Sequence, residues 1–349
     1  MHNIPEQMHG VVLTGHGGPE MLEYRPNLPV PTLSPTDVLI RVEAAGINNT
    51  DINTREAWYS KGEQDAADAT WSGQPLIFPR IQGADVCGTI VQTGNQVDAS
   101  RKGDRVLVEP LLREAGGLPL EQPWYFGSEC DGGFAQYVAV ASRHACKIES
   151  TLSSVALASF PCAYSTAENM LTRAVVSAGD TVYVTGASGG VGSAAVQLAK
   201  ARGAEVIAVT TAEKAAGLRA VGADTTLTRD EDPLVRIGAN GVDVVIDLVA
   251  GAGWPNFLTL LKPGGRYAVA GAIAGPIVSL DVRTLYLKDL SFFGCTVLNA
   301  EVFGNLIRLI EQQKIAPVVA ATYPLEQIAE AQAAFQSKAH IGKIVLEIP

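Results

Sequence analysis

Residues 184–200 read VTGASGGVGSAAVQLAK, and this stretch limits the possible folds more than any other. It sets Gly186, Gly189 and Gly192 at G-x-x-G-x-x-G spacing between the β-branched run TVYVT and a helical pattern. A strand that turns into a helix through glycines has no Cβ atoms to block a close approach. The backbone N–H groups of Ser188, Gly189, Gly190, Val191 and Gly192 then gather at the positive end of the helix, a place suited to a pyrophosphate. Any strand-to-helix turn tolerates glycine, so the spacing carries weight only inside a βαβ unit.

The surroundings supply that unit. EVIAVT (205–210), TTL (225–227), DVVIDL (243–248), RYAVA (266–270) and SFFGCT (291–296) read as five further strands. TVYVT and EVIAVT lack in/out alternation, as strands buried on both faces of a parallel sheet do. VGSAAVQLAKARG and AEKAAGLRAVG fit the helices between them, each ending in a glycine suited to a left-handed cap. This alternation predicts an α/β, doubly wound parallel sheet of Rossmann type over residues 151–299. An acidic residue at the end of the second strand would mark NAD. Thr210 and Thr211 stand there instead, with Lys214 just beyond, so a 2′-phosphate would meet hydroxyls and a positive charge. NADPH is therefore expected, with NADH the alternative, although Lys214 is equally suited to a solvated place on its helix. Leu248, Gly271, Ala272 and Ile273 follow the C-terminal ends of two strands, where ligands of such sheets bind.

Residues 1–150 follow another pattern. VLIRVEAAG, DVCGTIVQTG, DRVLVEP and GFAQYVAV are strand-like runs separated by Gly, Pro and Asp turns without helical patterns between them, and they predict a partly barrel-like β domain. Near the C-terminus, AEVFGNLIRLIEQQ and YPLEQIAEAQAAFQSKAH read as helical, and GKIVLEIP as a strand that returns to the first domain, so residues 300–349 are assigned there. A chain of 349 residues with 47% hydrophobic content is long enough for two cores. Its formal charge of −10 opposes binding to nucleic acid or to anionic membrane surfaces. MHNIPEQMHG lacks the charged and apolar regions of a signal peptide, and no apolar run reaches membrane-spanning length, so a cytoplasmic protein is expected. The five cysteines form no CxxC pair, which argues against a disulfide framework or a zinc ribbon.

A β domain, a Rossmann domain with GASGGVG followed by SAAVQLAK, and a return through HIGKIVLEI together resemble the medium-chain dehydrogenase/reductase superfamily, in its zinc-independent quinone oxidoreductase and enoyl reductase branch. The resemblance covers nearly the whole chain and implies a GroES-like β-barrel catalytic domain beside the Rossmann domain. It also implies where metal-dependent members would hold a catalytic zinc. Asn48, in GINNTD, stands at the first Cys position and Ala84, in GADVCG, at the His position, which leaves Cys162 and Asp85 as a poor site. LLREAGGLPLEQPWYFGSEC, with Cys130 alone, replaces the four-cysteine lobe of a structural zinc. No zinc is expected, and the acceptor must then be activated already. A quinone or an α,β-unsaturated carbonyl qualifies, because the charge left by hydride addition spreads onto oxygen.

The resemblance places Asn48, Asp51 and Arg55 beside nicotinamide and substrate as a hydrogen-bonding wall, and Tyr59 near the proton donor of enoyl reductases. Asn53 occupies the place where many quinone oxidoreductases have a tyrosine. Plainer roles are available: Asp51 suits the cap of a helix beginning at Ile52, Arg55 a structural ion pair, and Tyr59 a packing aromatic. Trp58 and Trp71 flank an acidic insertion, KGEQDAADATWSGQP, to which acceptor specificity is assigned. Thr166 at the domain crossover, Phe293 and Gly294 near the last Rossmann strand, and Lys343 of the terminal strand complete the implied cofactor contacts. The last Rossmann strand pairs with its mate in this superfamily, which implies a homodimer, with a tetramer the alternative. Two other readings stay open: an alcohol dehydrogenase with an atypical metal site, and a cofactor-binding protein without turnover.

Overall fold

A computed structural model describes residues 4–61 and 70–349. The chain divides into two compact units, the first formed by Met1–Cys162, Pro317–Ala339 and Lys343–Pro349, the second by Ala163–Ala316 and His340–Gly342. Most of the insertion between Trp58 and Trp71 lies outside the described residues. No helix among the described residues is long and apolar enough to cross a membrane.

In the first unit, β1 (Gln7–Leu13) and β2 (Leu22–Pro29) form a hairpin, as do β6 (Leu111–Ala115) and β7 (Leu118–Tyr125). The main sheet joins β3 (Asp37–Gly46), β4 (Cys87–Thr93), β5 (Arg105–Val108), β8 (Tyr137–Ala141) and β9 (Ala145–Lys147) to β16 (Val319–Pro324) and β17 (Lys343–Glu347), in the order β16-β17-β3-β4-β5-β9, with β8 also paired to β3. Strand β3 is nearly continuous in apolar burial, and Val38, Ile40, Val42 and Ala45 enter one core with Val86, Ile90, Val106, Phe126, Phe134 and Leu346. The sequence missed both hairpins. It offered a helix starting at Ile52 with Asp51 as its cap, whereas the short helix spans Asn49–Arg55 and leaves β3 where the candidate catalytic residues begin. Strand β17 runs antiparallel to β3, with Val345 opposite Gly46, and this pairing brings the C-terminal segment to the GINNTD stretch.

The second unit is a six-stranded sheet in the order β12-β11-β10-β13-β14-β15. Its strands are β10 (Thr181–Val184), β11 (Glu205–Thr210), β12 (Thr225–Thr228), β13 (Val242–Asp247), β14 (Leu261–Val269) and β15 (Ser291–Gly294), all parallel in register, at the places the sequence assigns them. Chain order reverses at β10, between β11 and β13, and ligands of open parallel sheets bind outside the carboxyl ends at such a switch point. The Gly190–Ala201 helix after β10 buries Ala194, Ala195, Val196, Leu198 and Ala199, small side chains that let it lie close to its neighbours. Residues 300–316, expected with the β domain, fall in this unit instead. Their helix, Val302–Glu311, buries Val302, Phe303, Leu306, Ile307 and Ile310 along one stripe, and burying that stripe fixes where the segment belongs.

Candidate active site

The turn between β10 and the Gly190–Ala201 helix uses its glycines for different reasons. Gly186 has φ +56, a left-handed conformation that glycine adopts without strain. A Cβ on Gly192 would collide with the Gly186 carbonyl oxygen and lie 2.6 Å from the Ala187 Cα, so the turn's own packing requires that glycine. Gly189 is unlike them, with an ordinary φ of −71 as the helix N-cap. A Cβ there would meet only the Gly186 oxygen, at 3.6 Å. Nothing in the protein demands glycine at 189, and the space is free for a ligand at the helix N-terminus. The Ser188 carbonyl accepts from the Gly342 N–H at 2.9 Å, which fixes the turn from its other side.

The adenosine end of this candidate cofactor site is built at the ends of β11 and β12, where Thr210 and Thr228 are register partners. Thr210 is buried and its hydroxyl has no hydrogen-bond partner among the described residues. Lys214, in the first turn of the Ala212–Ala220 helix, has its pKa lowered by burial and, in the same direction, by the neighbouring charge of Arg229. Arg229 directly follows β12, and the sequence reading missed it. It also missed Glu213, whose carboxylate accepts from its own backbone N–H and from the Thr211 side chain. A carboxylate therefore does stand at this end of the sheet, and it engages the Thr211 hydroxyl. The strand pattern could not show this, because Glu213 is the first acidic residue of the helix rather than the last residue of the strand.

A buried carboxylate organises the other strand ends. Asp247, at the end of β13, accepts from the Thr185 hydroxyl at 2.6 Å, the Tyr267 hydroxyl at 2.6 Å and the Val249 N–H at 2.9 Å. Its network ties the ends of β10, β13 and β14 together and sets the path of Leu248. A Cβ on Gly271 would lie 2.9 Å from the Leu248 carbonyl oxygen, so two of the expected cofactor-contact residues pack directly on each other. Ile273 is exposed, while Ala272 and Thr166 are half-buried, the latter in the Pro161–Arg173 helix. Phe293 and Gly294 lie on β15, one of the two edge strands of the sheet.

The first unit brings together residues far apart in sequence. Gly46 ends β3 because a Cβ there would collide with the Asp85 carboxylate and lie 2.8 Å from the Ala158 oxygen. The Asn48 side chain donates to Asp85 Oδ2 at 2.8 Å and accepts from the Lys343 ammonium. Lys343 also donates to the Ile47 carbonyl at 2.7 Å and pairs with Asp85 at 2.8 Å. Asp85 Oδ1 accepts from the Cys162 N–H at 2.5 Å. All three side chains are buried. The Lys343 ammonium meets three acceptors inside the protein, and both functional atoms of the Asn48 amide have protein partners.

Asp51 and Arg55 are likewise turned to structure. Asp51 Oδ2 accepts from the Asn48 N–H at 2.8 Å, closing the helix start at Asn49, so the cap is Asn48 and Asp51 the reciprocal partner. Burial pushes the Asp51 carboxyl up to about 7, against the opposing pull of the Asn48 N–H and of Lys343. Arg55 is wholly buried, donating to Gln332 at 3.1 Å and to the Gly17 carbonyl at 2.5 Å and pairing with Glu56 at 3.0 Å, which is the structural role. Tyr59 alone of the expected catalytic set keeps a hydroxyl beside reactive neighbours. It lies next to Thr50 and Asn53 and near Cys162 and Asp51, and burial raises its pKa. Tyr125, which the sequence reading did not single out, places its hydroxyl 3.0 Å from Cys162 Sγ, and Trp71 stacks on its ring with centroids 5.3 Å apart. Burial and the nearby Asp85 charge push the Cys162 thiol up to about 12. Two phenols thus flank one protonated thiol.

These residues do not fit a catalytic zinc. Tight binding needs three protein ligands from Cys, His, Asp or Glu. Among the described residues no such group of three is placed to hold a metal, Asp85 is paired with Lys343, and the Cys162 thiol is held protonated. The glycine turn, with its open approach at Gly189 and the unpartnered Thr210 hydroxyl, does fit a dinucleotide.

A β-barrel-like unit with a doubly wound sheet that carries this turn defines a dehydrogenase or reductase of medium chain length. Residues 34–150 match the alcohol dehydrogenase GroES-like domain family, and residues 190–312 match the zinc-binding dehydrogenase family. A quinone oxidoreductase of Lama guanicoe is 31% identical, with 97% of each chain covered. A chloroplastic NADPH-dependent alkenal/one oxidoreductase of Arabidopsis thaliana is 29% identical over 99% of this chain and 80% of its own. A solved structure from Sinorhizobium meliloti 1021, described as a candidate alcohol dehydrogenase, superposes with TM-score 0.91 at 43% identity, covering 100% of this chain and 99% of that one. The chain belongs to the medium-chain dehydrogenase/reductase superfamily, in its quinone oxidoreductase branch, and is an oxidoreductase. Its branch implies a nicotinamide cofactor and a small-molecule substrate.

Proposed function

We propose that the chain is a metal-independent, NADPH-linked reductase of quinones and α,β-unsaturated carbonyls. The observation that carries this reading is that Asn48 and Ala84 stand at two of the positions a catalytic zinc would need, with the Asn48 amide held by Asp85 and Lys343. With no metal to polarise a plain carbonyl, the acceptor must delocalise its own developing charge. The dinucleotide is held by Gly186 and by residues 188–192, with Leu248, Gly271 and Ala272 beyond the strand ends. A bound reduced nicotinamide supplies the hydride. Thr210, Lys214 and Arg229 favour a 2′-phosphate, while Glu213 in the same turn opposes it.

In the first unit, Tyr59, Cys162 and Tyr125 offer polar hydrogens to the acceptor oxygen, and Trp71 extends an aromatic surface suited to a planar acceptor. Tyr59 is the proton donor, because burial keeps its phenol protonated. A homodimer formed through β15 accords with the outermost place of that strand and with the exposure of Tyr286, Leu287 and Phe292.

Oxidation of NADPH and NADH, followed against a panel of quinones, enones and alcohols with and without chelator, tests the reading. Turnover on quinones or enones, indifferent to chelator and with kcat/KM for NADPH at least about tenfold above NADH, is expected. Turnover confined to alcohols, or abolished by chelator, overturns it. Tyr59→Phe is expected to lower kcat on an enone by about 100-fold while cofactor affinity stays unchanged.

A further inference from the structure

Three residues of the C-terminal segment part company with their neighbours. Pro317–Ala339 and Lys343–Pro349 belong to the first unit, yet His340–Gly342 belongs to the second. Two of the three make defined contacts there. The Gly342 N–H donates to the Ser188 carbonyl at 2.9 Å, and Gly342 bridges Gly189 in parallel register, as a strand of one residue would. Gly342 has φ +83, a left-handed conformation that glycine adopts without strain. Ile341, half-buried, reaches the Ala212–Ala220 helix. Its Cδ1 lies 2.5 Å from the point a Cβ on Gly217 would occupy, so the isoleucine fills the space that a side chain at 217 would take.

The Ser188 carbonyl is the part of the turn that this contact governs. It immediately precedes Gly189, the N-cap of the Gly190–Ala201 helix, whose first N–H groups suit an anion. A carbonyl oxygen turned into that place would oppose a phosphate, because it carries partial negative charge. Bonded to the Gly342 N–H, it is committed to the protein. We propose that His340–Gly342 is a strap that positions the phosphate turn, with Ile341 as its anchor and a positioning residue for the dinucleotide. This deepens the dinucleotide reading of the same turn and rests on it. The strap touches the pyrophosphate end of the site and makes no demand at the ribose 2′-position, so it serves NADPH and NADH alike. Its effect therefore separates from the choice between them.

Calorimetric titration of the full-length protein with NADPH, NADH and adenosine 2′-monophosphate is the test, with adenosine as the last probe if the wild type prefers NADH. That last probe carries the adenosine end and no pyrophosphate. Ile341→Ala is expected to weaken NADPH and NADH by the same factor, about tenfold, and to leave the adenosine probe within about twofold. Gly217→Ala improves helix propensity, so it should keep or raise the melting temperature while weakening both dinucleotides about threefold. Gly217→Ala/Ile341→Val, which removes the colliding Cδ1, should restore them. Unchanged dinucleotide affinity in Ile341→Ala, or a loss shared equally by the adenosine probe, overturns the proposal. If Ile341→Ala proves too unstable to purify, the Gly217 pair decides, and a loss without rescue, or no loss at all, overturns it. A wild type that prefers NADH overturns the NADPH assignment and leaves the strap standing, whereas one that binds neither dinucleotide overturns both.

Discussion

The glycine turn and the GINNTD segment stand in different units, and they differ in where their polar groups find partners. At the turn, Gly189 leaves an unfilled approach and the Thr210 hydroxyl lacks a partner among the described residues. At GINNTD the polar atoms of Asn48, Asp85 and Lys343 are satisfied by one another. Buried polar groups cost free energy unless they are hydrogen-bonded, so the Thr210 hydroxyl beside the glycine turn suits a place that a ligand completes, while the Asn48–Asp85–Lys343 network is completed by the fold. The buried Thr54 hydroxyl a few residues on is also left without a partner among the described residues. The lesson is that similarity of position to a relative's active site does not make a residue catalytic. Asn48 and Arg55, expected beside nicotinamide and substrate, have side chains that meet protein partners.

That contrast can be broken by substitution. The largest effect is expected from Asp85→Ala, which leaves the Lys343 ammonium buried without its counter-ion and should cost about 3–5 kcal/mol in chemical denaturation. A loss below about 1 kcal/mol would show that the network is not closed. Asp51→Asn comes next, through pH. The Asp51 carboxyl ionises in the fold at about 7 rather than the ordinary 3.8. Between those values the folded chain holds a proton the unfolded chain has released, so wild-type stability falls as pH rises through the window and levels above it. Asp51→Asn lacks that loss. Its stability relative to wild type should grow by on the order of 3–4 kcal/mol from pH 4 to pH 7, and a flat difference would remove the burial argument.

The turn predicts a smaller, split response. Gly192→Ala should cost about 1–3 kcal/mol and abolish cofactor binding, because the new methyl meets backbone that cannot move aside. Gly189→Ala should change stability by less than about 0.5 kcal/mol, yet weaken NADPH by about tenfold or more in calorimetry. Equal effects at both positions would erase the distinction between a glycine the fold needs and one the ligand needs.

The six Rossmann strands and the glycine turn were legible because strands buried on both faces and tight helix entries are local patterns, written in consecutive residues. The terminal strand and its return were legible for the same reason. The roles of Asp51, Arg55 and Lys343 were not, since each depends on partners distant in sequence: Lys343 meets Asn48 across 295 positions, and Arg55 meets Gln332 across 277. Asp247, Tyr125 and Arg229 went unmarked because a buried carboxylate, a stacked phenol and a cation at a strand end have no signature apart from their neighbours. By itself the sequence determined the two architectures, the place of the dinucleotide turn and the absence of zinc-ligand residue types at two positions. Only the tertiary structure decided which polar side chains remain available for chemistry, because availability is what is left after every long-range partner has been found, and those partners are assembled by strand pairing.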